Sequence, residues 1–185
     1  MNPASPIFIL GYMACGKTTF GRALARHLGR EFIDLDFYVE QRYRSRITDI
    51  FAARGEAEFR RMEAAMLREV GEMEGVVVAC GGGTPCFGTN MDYMLGRGAT
   101  IWLRASEERT LERLLINRSR RPLLADKSDG EILEFIRSHM APRIPHYSRA
   151  GIIFNSDRLE DRRQIAESID LFISENPDLL PSAQP

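Results

Sequence analysis

Ile7-Phe8-Ile9-Leu10-Gly11-Tyr12-Met13-Ala14-Cys15-Gly16-Lys17-Thr18-Thr19 runs from four apolar residues through a glycine-bounded loop into a helical pattern. The loop matches Gly-x4-Gly-Lys-[Ser/Thr], a motif whose chemistry depends on strand, loop and helix following in that order. Glycines let backbone N–H groups turn inward on phosphate oxygens, and the helix N-terminus behind them adds unpaired donors and a favourable dipole. On this spacing Gly11, Ala14, Cys15, Gly16, Lys17, Thr18 and Thr19 form an ATP phosphate site. Lys17 is expected to reach the β- and γ-phosphates and Thr18 to ligate Mg2+. A glycine turn that merely opens a helix is the plainer alternative. Composition disfavours it, because only two of the 25 basic residues are lysines, Lys17 and Lys127, and one of them fills the motif position.

Outward from this loop, four further short apolar runs recur at residues 32–35, 76–80, 100–103 and 151–154, with helical periodicity between them. Phe20, Leu24 and Leu28 fall four apart with Gly29 just after, one apolar stripe ended by a C-terminal glycine. Phe59, Met62, Met66, Val70 and Met73 mark a helix over 56–73, and similar patterns cover 106–116, 130–140 and 160–174. Strands buried on both faces and alternating with helices imply an α/β protein with a five-stranded parallel sheet covered on both sides. Ligands of such sheets bind beyond the carboxyl ends of the strands. Residues 1–174 are expected to form one domain, with a basic, polar lid at about 118–129 and a flexible proline-containing tail at 175–185.

Composition narrows the classes of function. Of the 185 residues, 25 are Lys or Arg and 26 Asp or Glu, a net charge of -1 that supplies no electrostatic footprint for nucleic acid. No apolar run approaches the roughly 18 residues of a membrane span, and the N-terminus lacks the plan of a secretory signal. A cytoplasmic protein without membrane or nucleic-acid partners is expected, and a monomer, since no long apolar stripe is left over after core assignment. Cys15, Cys80 and Cys86 show no paired spacing and read as reduced thiols. His27, His139 and His146 form no ligand cluster.

A phosphate loop specifies a nucleotide and leaves the reaction open, since ATPases, GTPases and small-molecule kinases share it. Asp34-Leu35-Asp36 reads as the end of the second strand, with alternation placing both carboxylates on one side. One could hold hydrated magnesium while the other accepts an alcohol proton; a solvated strand end, or a cap for a helix beginning at Phe37, is the structural alternative. Gly81-Gly82-Gly83 follows the third run and allows a ligand close to the backbone. Arg60, with Glu63 three residues on, offers a planar fork suited to a carboxylate or phosphate. A kinase of a small alcohol, a nucleoside monophosphate kinase and a nucleotide-dependent switch all remain open at this point.

Taken in order, the phosphate loop, Asp34-Leu35-Asp36, Gly55-x3-Phe59-Arg60, Gly81-Gly82-Gly83 and Arg121-Pro122-Leu123-Leu124 resemble the shikimate kinases over about residues 7–173. The resemblance implies the P-loop NTPase, nucleoside-monophosphate-kinase-like three-layer fold with a mobile lid. It further implies transfer of the ATP γ-phosphoryl group to the 3-hydroxyl of shikimate, with Mg2+ as cofactor, in aromatic amino acid biosynthesis. Asp36 then stands where the family binds and deprotonates the acceptor hydroxyl, and Asp34 where it holds magnesium through water. Arg60 and Arg143 correspond to the clamps on the shikimate carboxylate, Gly81, Gly82 and Gly83 to the backbone wall, Glu63 to a group orienting Arg60, and Arg121 to the lid arginine on the transferring phosphoryl. Arg143-Ile144-Pro145-His146-Tyr147 resembles the family's Arg-x-Pro-Leu-Tyr, with His146 in place of leucine. Two departures bear on the site. Cys15 puts a thiol in the phosphate loop, which raises oxidation sensitivity against the plainer reading of a Ser or Ala substitute. Leu114 occupies the position of the adenine-facing arginine, flanked by Arg113 and Arg118.

Overall fold

The computed structural model describes residues 4–116 and 127–179. Five parallel strands, β1 (Ile7–Leu10), β2 (Glu31–Asp34), β3 (Val76–Ala79), β4 (Ala99–Arg104) and β5 (Ile152–Asn155), lie in the order β2-β3-β1-β4-β5. β1 occupies the centre, Ile7 opposite both Val77 and Ala99. The chain leaves β1 for the β2–β3 side and later crosses to β4, so the loop after β1 opens where the strand order reverses, the usual crevice for a ligand.

β1 is buried along its whole length, and its alternation divides two cores. Ile7 and Ile9 pack with Phe20, Leu24 and Leu28 of α1 (Lys17–Leu28) and with Ile169 and Phe172 of α8 (Arg162–Glu175). Phe8 and Leu10 face the opposite layer, where α2 (Leu35–Tyr43), α3 (Ile47–Gly71) and α4 (Asn90–Arg97) contribute Val39, Met66, Leu67, Val70, Met91 and Met94. The methionine stripe of α3 is therefore core. A third cluster joins Tyr12 to Leu114 of α5 (Glu107–Ile116) and to Ile132 and Ile136 of α6 (Asp129–Met140). α7 (Ile144–Tyr147) is a single turn between α6 and β5. No helix among the described residues is long and apolar enough to cross a membrane.

Several sequence expectations change. Asp34 ends β2 and at once caps α2, its carboxylate accepting from Phe37 N, so Asp36 sits in the first helical turn and not on a strand. Helix α3 starts at Ile47, upstream of the expected 56, and kinks at Gly55, whose φ of 74° is open to glycine. Helix α4 was not expected. The tail expected to be flexible from 175 is structured as far as 179: Pro177–Leu179 form a 3-10 turn and Leu179 is buried in the α1–α8 core. Of the lid expected at about 118–129, residues 118–126 lie outside the described residues, and at its end Ser128 forms a reciprocal cap with Glu131 on α6.

Candidate active site

The phosphate loop bends through three left-handed or glycine-only conformations, Gly11 (φ 145°), Ala14 (φ 61°) and Gly16 (φ 95°). A Cβ on Gly11 would stand 2.6 Å from Leu103 O and 2.7 Å from Cys15 Sγ, so the loop closes only over a bare backbone. Gly16 caps α1 with no side-chain bond, leaving the first N–H groups of that helix for a ligand. Lys17 Nζ donates to Gly11 O and to Tyr12 O, each at 2.9 Å, which curls the ammonium over the loop. Cys15 is 1% exposed and packed in the α1–α8 core. A thiol packed in this way favours the plainer of the two readings of Cys15, a substitute for Ser or Ala, over oxidation sensitivity.

Ala14, Gly16, Lys17, Thr18 and Thr19 line a cavity of about 1050 Å³ together with Asp34, Asp36, Ala79, Cys80, Arg113, Ile116, Leu159 and Glu160. Thr18 Oγ1 donates to Asp34 Oδ2 at 3.0 Å, so the two oxygen groups assigned to magnesium are already adjacent. Hard oxygen donors beside a phosphate site suit Mg2+, and the pair fits the ion.

Asp36 lines this cavity, as does Arg113. Solvent reaches it along the open mouth, while protein crowds its other sides. That crowding, with the negative charges of Glu63 and then Asp34, pushes its carboxyl up to about 6, against the opposing pull of Lys17 and Arg60. The helical placement keeps Asp34 and Asp36 in one cavity although the strand argument for it fails.

Arg60, Gly81, Gly82, Gly83 and Arg143 are not in the lining of the nucleotide cavity; Gly81 adjoins Asp36 and Gly83 adjoins Arg60, so the glycines and Arg60 form a second wall that meets the cavity at Asp36. A Cβ on Gly83 would lie 2.7 Å from Arg60 Nη2. Arg60 Nη1 donates to Glu63 Oε2 at 2.9 Å, Nη2 to Glu56 Oε1 at 3.1 Å, and the guanidinium lies 4.0 Å over the Phe87 ring. Glu63, 1% exposed, also accepts from Thr84 Oγ1 at 2.7 Å, which fixes it on the arginine as expected. Arg143 precedes α7, its guanidinium 5.2 Å over the Tyr12 ring. Cys86 lies within the electrostatic reach of both Arg143 and Arg60.

A family model described as shikimate kinase matches residues 13–173. The chain belongs to the shikimate kinase family. It is similar to the shikimate kinase of Phocaeicola vulgatus, 48% identical over 164 residues that cover 89% of this chain and 94% of that protein. Against the crystal structure of a shikimate kinase from Bacteroides thetaiotaomicron the TM-score is 0.88 at 44% identity, covering 92% of this chain and 97% of the other. A shikimate kinase from Acinetobacter baumannii in complex with shikimate gives 0.79 at 30% identity, covering 94% and 95%.

Within this family's frame the structure gives a place to a residue that the sequence only set beside Leu114. Arg113 Nη1 donates to Ala14 O at 3.3 Å, Nη2 to Ser156 O at 2.8 Å and Asp157 O at 3.3 Å, and Nε to Glu160 Oε1 at 2.8 Å. Its flanking of Leu114 was the one signal available. Arg118 and Arg121 lie outside the described residues.

Proposed function

We propose that this protein transfers the γ-phosphoryl group of ATP to the 3-hydroxyl of shikimate, giving shikimate 3-phosphate and ADP. The observation that carries the reading is the meeting of two walls at Asp36: the phosphate-loop cavity on one side, and on the other a wall of glycines with the arginine Arg60. A switch has no use for an anion clamp beside a carboxylate base. Membership of the shikimate kinase family and the likeness to a relative in complex with shikimate support the choice of acceptor.

In this reading the phosphate loop and Lys17 hold the β- and γ-phosphates, and Arg60 and Arg143 bind the acceptor's carboxylate. Asp36 accepts a hydrogen bond from the 3-hydroxyl and takes its proton as the oxygen attacks phosphorus in line with the departing ADP. Thr18 directly, and Asp34 through water, would hold Mg2+, which when bound neutralises charge on the phosphates. Catalysis is positional and electrostatic, without a covalent enzyme intermediate. Arg121 and the lid are assigned from the family resemblance alone: Arg121 neutralises phosphoryl charge and closure excludes water. The enzyme is placed in the cytoplasm as a monomer, which sedimentation tests.

ADP release from magnesium-ATP, measured with and without shikimate and with quinate, gluconate and a nucleoside monophosphate as competing acceptors, tests the reading. Turnover dependent on shikimate alone is expected. Turnover with another acceptor would reassign the second wall, and ATP binding without acceptor dependence would favour the switch.

A further inference from the structure

The three glycines of the acceptor wall use their two kinds of backbone group differently. All three carbonyls accept hydrogen bonds: Gly81 O from Thr84 N at 3.0 Å, Gly83 O from Cys86 N at 2.9 Å, and Gly82 O from the Tyr147 hydroxyl. Their three N–H groups make none among the described residues. Successive unpaired N–H groups form a concave donor set for oxygen atoms of a ligand, so this loop is wired to keep its acceptors satisfied and its donors for a substrate.

Two of the three carbonyl bonds are local and close the turn that follows the glycines. The middle one arrives from 65 residues away. Every peptide bond among the described residues is trans, and in a trans peptide the C=O and the following N–H point in opposite directions. A Gly82 carbonyl held on the Tyr147 side therefore turns the Gly83 N–H away from Tyr147. A glycine has little side-chain reason to keep one peptide orientation, and the hydroxyl supplies that reason. Tyr147 is itself firmly placed: it is fully buried, its ring lies 5.7 Å from that of Trp102 on β4, and its N–H donates to Arg143 O at 2.9 Å. Burial pushes its phenol far above the ordinary range, so the hydroxyl is a donor at every working pH.

We propose that the Tyr147 hydroxyl is a positioning group for the acceptor: by holding Gly82 O it keeps the glycine amides available to shikimate oxygens and couples the turn that carries Arg143 to the same wall. This rests on the reading of the wall as the shikimate site. Tyr147 acts through Gly82 and Arg143 and touches no reacting atom.

Y147F deletes the hydroxyl and keeps the ring. It is expected to raise KM for shikimate about tenfold or more while KM for ATP stays within about twofold, as befits groups that act on one substrate. In NMR spectra of the free protein the Gly83 amide, one cross-peak in the wild type, splits or broadens in Y147F. W102F, which loosens the ring packing and keeps the hydroxyl, is expected to lower Tm and leave both KM values near wild type. Unchanged shikimate KM in Y147F, or parallel rises in both KM values, would overturn the proposal. So would a wild-type Gly83 amide that fails to respond to shikimate, a check that needs no variant. Should the wild type show no shikimate-dependent turnover, the functional reading fails, while the Gly83 amide of the free protein still decides whether Tyr147 holds Gly82.

Discussion

A Cβ placed on Gly81 would stand 2.7 Å from Asp36 Oδ1. It would also meet Glu63 Oε1 at 2.9 Å and Thr84 Oγ1 at 3.1 Å. The smallest side chain thus collides with the proposed base and with both members of the hydrogen bond that steadies Arg60. Gly81→Ala is expected to cost about 1–3 kcal/mol of stability as overpacking. Displacing the base by a fraction of an ångström is expected to lower kcat about 100-fold, with ATP affinity retained. Steady-state ADP release and an ATP titration check it; wild-type kcat would show that Asp36 yields without losing its place.

The position of the Asp36 carboxyl, pushed up to about 6, sets a pH profile. A general base works only when ionised, so kcat/KM for shikimate is expected to be flat above pH 6 and to fall about tenfold per unit below it. Glu63→Gln removes one cause of the rise and releases Arg60 to act on Asp36. The inflection is therefore expected to move to lower pH in that variant. An inflection that stays at about 6 would assign the profile to another group.

The same shift has a consequence for stability. A carboxyl raised from 3.8 to about 6 on folding binds its proton more tightly in the folded chain, so stability is lost as pH rises through that window. Asp36→Asn is neutral throughout. Its Tm is expected to match that of the wild type near pH 4 and to exceed it above pH 6. Differential scanning calorimetry across this range reads the sign directly, and a variant less stable at pH 7 would contradict it.

How much of this was legible depended on whether the governing interaction is local in sequence. The phosphate loop was, because its residues follow one another in the chain, and the unbroken apolar runs announced a sheet covered on both faces. Asp36 was put on a strand because Asp34 ends β2 and caps α2 with no loop between, a change of period that the residues 34–36 do not announce. Helix α4 buries Met91 and Met94 over two turns, too short for its periodicity to stand out. The Tyr147 bond to Gly82 and the Arg113 bonds to residues 14, 156 and 157 end on main-chain carbonyls, which carry no residue signature.

Arg60 illustrates a cation whose shape matters more than its charge. Its fork is divided between Glu56 and Glu63 and its plane lies 4.0 Å over the Phe87 ring. Lysine supplies a point charge with neither fork nor plane. Arg60→Lys is expected to raise KM for shikimate about 10- to 100-fold, corresponding to about 1–3 kcal/mol for a charged hydrogen bond, with KM for ATP unchanged. Equal effects on both substrates would remove Arg60 from the acceptor clamp.

Arg113 lines the nucleotide cavity. Its side chain, 11% exposed, joins Ala14 of the phosphate loop to Ser156, Asp157 and Glu160, the last of which also lines the nucleotide cavity. Ala14 holds a left-handed φ of 61°, unusual for a residue with a side chain, and the bond to its carbonyl opposes relaxation of the loop. Lysine at this position cannot span three carbonyls and a carboxylate at once. Arg113→Lys is therefore expected to raise KM for ATP about tenfold and to leave KM for shikimate within about twofold, the reverse of the Arg60 variant. Glu160→Gln keeps the carbonyl bonds and weakens only the ion pair, so its effect on KM for ATP is expected to be smaller. Equal losses in Arg113→Lys and Glu160→Gln would mean that the ion pair, and not the hold on Ala14, shapes the phosphate site.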